Sequence, residues 1–93
     1  MTLKTISINV TGIVQGVGFR YYTIKAARKL DLTGWVKNLP DGSVQIMATG
    51  PAEQLDQFSA VVKKSPPAPA GKVTNFTINY LPYHTFDDFN VKY

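Results

Sequence analysis

Three glycines and an arginine stand close together in Gly12-Ile13-Val14-Gln15-Gly16-Val17-Gly18-Phe19-Arg20. That combination can hold an anion. Glycine tolerates positive φ and lets a ligand approach the backbone, so consecutive N–H groups can be aimed at one point. Arginine adds a planar cation that bonds two phosphate oxygens at once and stays charged at any working pH. We read the segment as a phosphate cradle. The dinucleotide pattern G-x-G-x-x-G would need glycine where Tyr21 stands, and the Walker pattern needs Gly-Lys followed by Ser or Thr, so neither named motif is present. A glycine-rich turn alone is weak evidence, and a helix-start arginine can be merely solvated. Against that, a lone cation at the positive end of a helix is unfavourable unless an anion binds there.

The elements that must position the cradle follow from periodicity. Ile6, Ile8 and Val10 alternate with Ser7, Asn9 and Thr11, the period of a half-buried strand. Phe19, Tyr22, Thr23, Ala26, Ala27 and Leu30 then fall on one helical face. A strand that turns through glycines into a helix leaves N–H groups unpaired at the positive end of the helix dipole. Further on, Thr33 to Leu39 and Ser43 to Thr49 read as strands two and three, joined by a hairpin turn at Leu39-Pro40-Asp41-Gly42. Gly50-Pro51 opens a second helix, with the proline at its first position and Leu55, Phe58 and Val62 as its stripe. Ser65-Pro66-Pro67-Ala68-Pro69-Ala70-Gly71 reads as a surface loop. Val73 to Tyr80 is a fourth strand and Phe89 to Tyr93 a short last one.

Strand, helix, strand, strand, helix, strand is the order of an α+β, ferredoxin-like βαββαβ sandwich: an antiparallel sheet with two helices on one face, here with an extra C-terminal strand. Right-handed crossovers place strand three between strands one and two, which point the same way. The cradle and the end of strand two therefore share a sheet edge, roughly 10 Å apart. The residue at that edge is Asn38, in register with Val36. Either it faces the anion site, or it bonds the hairpin backbone as asparagine often does near turns.

Composition narrows the function class. The chain has 93 residues, 44% of them apolar, and is expected to form a single domain over residues 1–93. It carries no cysteine, which excludes disulfides, thiolate metal sites and cysteine nucleophiles. A formal net charge of +4 favours anionic partners without separating nucleic acid from a small phosphate ester. Met1-Thr2-Leu3-Lys4 leads into the first strand without an apolar signal core, and no apolar run approaches membrane length, so a cytoplasmic location is expected. His84 sits beside Pro82 and Tyr83 in a loop, where an isolated histidine is ordinarily solvated. Asp87 and Asp88 form no placeable acid and base pair, and one histidine makes no metal cluster by ligand count. Phe76, Tyr80, Tyr83, Phe86 and Phe89 are read as core and sheet face, with Trp35 and Met47 on the open face.

The cradle segment, taken with Thr33-Gly34-Trp35-Val36-Lys37-Asn38-Leu39-Pro40-Asp41-Gly42-Ser43-Val44, resembles the paired signature of the acylphosphatases. The match covers nearly the whole chain. The resemblance implies a metal-independent hydrolase, without cofactor, that cleaves the carboxyl–phosphate bond of a small acyl phosphate. It also implies roles. Gln15, Gly16, Val17, Gly18, Phe19 and Arg20 bind the phosphoryl group, and Asn38 orients the attacking water. Inorganic phosphate is then both product and competitive ligand, and a monomer with no nucleic-acid or membrane partner is expected. Asp31 stands where the family commonly has a helix-ending glycine, Ser65 where a glycine precedes the two prolines, and Gln45 where a glutamate is often found. Ala68 to Lys72 looks longer than usual. Two other classes compete with the enzyme. RNA-recognition domains share this topology, but their aromatic signature is absent from Ser43-Val44-Gln45-Ile46-Met47-Ala48-Thr49. A non-catalytic phosphate sensor would keep the cradle, and Asn38 is what separates it from an enzyme.

Overall fold

Alternation in the first strand sets the layers. In the computed structural model, which describes residues 2–64 and 71–93, β1 (Leu3–Ile13) buries Ile6, Ile8 and Val10 against the helices. Ser7 and Asn9 look the other way. The chain continues through α1 (Phe19–Lys29), β2 (Thr33–Asn38), β3 (Val44–Pro51), α2 (Ala52–Lys63), β4 (Lys72–Leu81) and β5 (Phe89–Val91). Helix α1 buries Phe19, Thr23 and Ala27, and α2 buries Leu55, Phe58 and Val62. All of these but Thr23 join Val36, Val44, Ile46 and Phe89 in one cluster, where Phe58 and Phe89 meet edge to face at 6.0 Å. Fully burying a side chain of that size contributes about 1.5–3 kcal/mol.

The sheet order is β4-β1-β3-β2-β5. β3 lies between β1 and β2 and is antiparallel to both, so Val10 pairs with Val44 and Asn38 pairs with Val44 from the other side. The end of β1 and the end of β2 thus meet one edge of the sheet, as the crossover rule requires. β1 to β4 form the expected antiparallel sheet, and the extra strand β5 adds one parallel pairing. β5 runs parallel to β2, pairing Gly34 with Phe89 and Val36 with Val91, and the sheet is mixed. The direction has a physical cause. β4 ends at Leu81 opposite Thr5, in the same row as Thr49 and Thr33, so the chain reaches the outer edge of β2 at that strand's beginning and can only run alongside it.

Smaller departures are local. β2 stops at Asn38 and not Leu39, because Leu39 N–H bonds Ser43 across the turn. β3 runs two residues past Thr49, and β5 stops at Val91. Pro51 is extended (φ −60°, ψ 142°) and caps α2 from outside, one position before the first helical residue. Of the C-terminal aromatics only Phe89 is buried; Tyr80 and Tyr83 are exposed because β4 is an edge strand and the 82–88 loop lies on the surface. The expected loop at Ser65 to Ala70, with Ser65, Pro66, Pro67 and most of the longer 68–72 stretch, lies outside the described residues. Asp31 adopts the left-handed conformation (φ 57°) that a helix-ending glycine would take. Leu32 N–H then closes back on Ala27 O at 2.9 Å, so the helix ends normally at some conformational cost.

Candidate active site

Between β1 and α1 the backbone turns through Gly16 (φ 74°) and Gly18 (φ 80°), the latter capping the helix in the left-handed region. A Cβ on Gly16 would meet nothing within 4 Å, so the backbone conformation, and not lack of space, is what requires glycine there. Tyr22 is the first residue of α1 whose N–H finds a backbone acceptor, Gly18 O at 3.1 Å. From Gly16 to Tyr21 the N–H groups have no acceptor among the described residues. Among the described residues no side chain caps the helix, and its first turn holds no acidic residue. The positive end of the helix is therefore left uncompensated, with Arg20 standing in the same turn.

Arg20 is half-buried and its guanidinium lies over the Tyr93 ring, with Cζ 5.8 Å from the centroid. It has no carboxylate partner among the described residues. Arg28, on the outer face of the same helix, contrasts with it: Arg28 donates to Asn90 Oδ1 at 2.9 Å and lies 3.8 Å from Asp88 Oδ2. Two other residues of the cradle point their side chains elsewhere. Val17 packs against the core, and Gln15 Nε2 donates to Leu39 O and to Ser43 O, each at 2.8 Å. Phe19 is buried as well. Gln15, Val17 and Phe19 can serve an anion only through their backbone.

Asn38 occupies the last rung of β2, and its Oδ1 is buried without a hydrogen-bond partner among the described residues. The hairpin does not use it. The turn is closed by Leu39 N–H to Ser43 O (2.9 Å) and Gly42 N–H to Leu39 O (3.1 Å), while Asp41 Oδ1 accepts from the Ser43 hydroxyl (2.6 Å) and N–H (2.9 Å). Those two bonds, the hydroxyl's foremost, hold the Asp41 carboxyl below its usual pKa. A buried acceptor without a donor is costly unless something fills the role.

Gly16, Gly18, Phe19, Arg20 and Asn38 line one hollow of about 250 Å³, closed by Val14, Tyr21, Val91 and Tyr93. This is below the roughly 300–1,000 Å³ of pockets that enclose drug-sized ligands, and it suits a small anion with its first waters. Sequence reasoning missed the walls from β5 onward. The position of Val91 and Tyr93 depends on the parallel pairing, which no local pattern announces. His84 is not part of the site: its ring packs edge-on to Phe86 at 4.7 Å, and its backbone is bonded to Thr5 and Thr49 at the opposite end of the sheet. Among the described residues no group of three or more metal-ligating side chains gathers anywhere, and no helix is long and apolar enough to cross a membrane.

Comparison with known proteins gives the arrangement its context. A family profile described as Acylphosphatase matches residues 6–91. The acylphosphatase of Pediococcus pentosaceus is 48% identical over 91 residues, covering 98% of this chain and 100% of that one. The crystal structure of acylphosphatase from Bacillus subtilis superimposes with a TM-score of 0.91 at 40% identity, covering 99% and 100% of the two chains. A bacterial light-regulated adenylyl cyclase also matches, with a TM-score of 0.70, but at 15% identity and over 28% of its chain. That last likeness is one of fold alone.

Proposed function

The chain belongs to the acylphosphatase family and hydrolyses acyl phosphates, and on that premise we propose how its residues divide the work. Arg20 and the backbone N–H groups of residues 15–20 hold the phosphoryl oxygens. Asn38 Oδ1 accepts a hydrogen bond from a water and holds it for in-line attack on phosphorus. The water oxygen forms the new P–O bond as the bond to the acyl oxygen breaks, and the electron pair leaves with the carboxylate. The water proton passes to a phosphoryl oxygen of the substrate, giving a carboxylate and inorganic phosphate.

The residues present match what this reaction asks. A carboxylate is stable as an anion, so no general acid is required to protonate the leaving group. What remains is placement of the nucleophile and stabilisation of charge on the equatorial oxygens. A guanidinium and a set of preorganised N–H groups supply the second. Asn38, a neutral amide, is no base at neutral pH, but its oxygen can orient a water. The observation that carries this reading is that Asn38, whose Oδ1 is buried without a partner among the described residues, lines the same hollow as Arg20.

The same reading makes residues 1–93 a single domain acting as a metal-independent monomer on a small-molecule substrate in the cytoplasm, with no nucleic-acid or membrane partner. The small hollow and the cysteine-free composition support it. Phosphate release from a small acyl phosphate should proceed with chelator present and no added metal, while a phosphate monoester is left intact. Activity abolished by chelator and restored by magnesium would overturn the metal-free mechanism.

A further inference from the structure

The Gln15 side chain is turned away from the hollow, and its partners explain why it matters. One amide nitrogen carries two hydrogens. Gln15 Nε2 directs them to Leu39 O and Ser43 O, both at 2.8 Å, the two carbonyls that flank the β2–β3 turn. Each of these already accepts a backbone hydrogen bond within the hairpin, Leu39 O from Gly42 and Ser43 O from Leu39. Gln15 therefore does not close the turn; it attaches a closed turn to the cradle. Among the described residues, these two bonds are the hydrogen bonds that join residues 14–18 to residues 38–43. Leu39 follows Asn38 directly in the chain, and Asn38 is the last rung of the ladder, so beyond it the sheet no longer fixes the backbone.

We propose that Gln15 is a positioning residue: it sets the distance between the phosphate cradle and the Asn38 oxygen, and hence between phosphorus and the attacking water. The proposal rests on the role given to Asn38 above. In-line attack is sensitive to displacements of about 1 Å, because the orienting contribution is lost once the water sits off axis. A phosphate ion, by contrast, is held by the cradle and Arg20 whether or not the hairpin is in register. Loss of the clip should therefore slow turnover and spare phosphate binding.

Gln15→Met keeps the length and shape of the side chain and removes both donors. Steady-state kinetics should show kcat down about tenfold, with inhibition by inorganic phosphate changed less than about threefold. The decisive measurement is a double-mutant cycle. In an Asn38→Ala background, Gln15→Met should lower kcat by less than about twofold, since a residue acting through Asn38 has nothing left to position. The same tenfold loss in both backgrounds, or a phosphate affinity that falls in step with kcat, overturns the proposal. So does a lower denaturation midpoint with an unchanged kcat, which would make Gln15 a structural brace. Should Gln15→Met not fold, Gln15→Asn carries the same test, because its shorter amide cannot span both carbonyls. If Asn38→Ala by itself retains normal kcat, the Asn38 reading fails and this one with it; additive losses sink this one alone.

Discussion

The two ends of the sheet treat buried polar atoms in opposite ways. At the end where β2 and β4 meet the 82–88 loop, the hydroxyls of Thr5 and Thr49 are buried and fully engaged. They bond each other at 2.6 Å, Thr49 donates to His84 O at 2.7 Å, and Thr5 accepts from His84 N–H at 2.9 Å. At the other end Asn38 Oδ1 is equally hidden and bonds nothing among the described residues, and Arg20 has no carboxylate beside it. The first end has the signature of structure, with every group satisfied from within the chain. The second leaves its groups without partners among the described residues, as the proposed binding of a substrate and a water requires.

The contrast can be broken most forcefully at the open end. Arg20→Ala should remove nearly all turnover and weaken inorganic phosphate as a competitive inhibitor, since the role proposed for Arg20 has it meet the phosphoryl oxygens before and during the reaction. Asn38→Ala should cut kcat by about 10² or more and leave phosphate inhibition within a few-fold. Equal losses of binding and rate in the Asn38 variant would erase the distinction between holding phosphate and holding water. Both variants should retain their denaturant midpoints, and a melted Asn38→Ala would mark that residue as a turn anchor.

At the satisfied end the expected effects change kind. Thr49→Val strips a buried hydroxyl from its partners and should cost about 1–3 kcal/mol of stability, read from the denaturant midpoint, with kcat untouched. His84→Gln should leave both unchanged, since His84 joins this network through its backbone alone; a histidine-like limb in the pH–rate profile that vanished in this variant would place His84 in the chemistry after all. The smallest effect belongs to Asp31, near the same end. Asp31→Gly relieves a left-handed aspartate but frees the unfolded chain, so a net gain of about 0.5 kcal/mol is expected, visible as a modest rise in thermal midpoint. A loss would show that the Asp31 side chain contributes more than its backbone strain removes.

How much of this could be read in the sequence depended on whether local periodicity carried the information. Ile6, Ile8 and Val10 fixed the face of β1, and Leu55, Phe58 and Val62 that of α2, because burial on one side imposes a period the residues must display. Arg20 and Asn38 were legible for a different reason: glycine, arginine and asparagine stood at element ends, and the crossover rule brings those ends together. What stayed hidden depended on contacts between distant segments. Tyr93 at the hollow follows from β5 docking beside β2, and the two-carbonyl grip of Gln15 follows from a hairpin lying against a loop more than twenty residues away in sequence. Neither leaves a mark in the spacing of residues. Tyr80 misled for the complementary reason: an aromatic in strand register reads as core even when the strand is at the edge.

The three-residue strand β5 has one more effect. By pairing with β2 it shields one flank of the sheet, so the two margins of the molecule differ in their exposure to foreign chains. β4 has ten residues, and among the described residues no strand pairs with its far side. Its N–H and C=O groups there form a row with Ile78, Tyr80 and Leu81 exposed along it. Such a margin is a template for an incoming strand, and its guards here are the charge of Lys72 and the polar Thr74, Asn75, Thr77 and Asn79. Self-association at high concentration, or from a partly melted state, should therefore start at β4, and a lysine in place of Ile78 would block it more effectively than any change along β5.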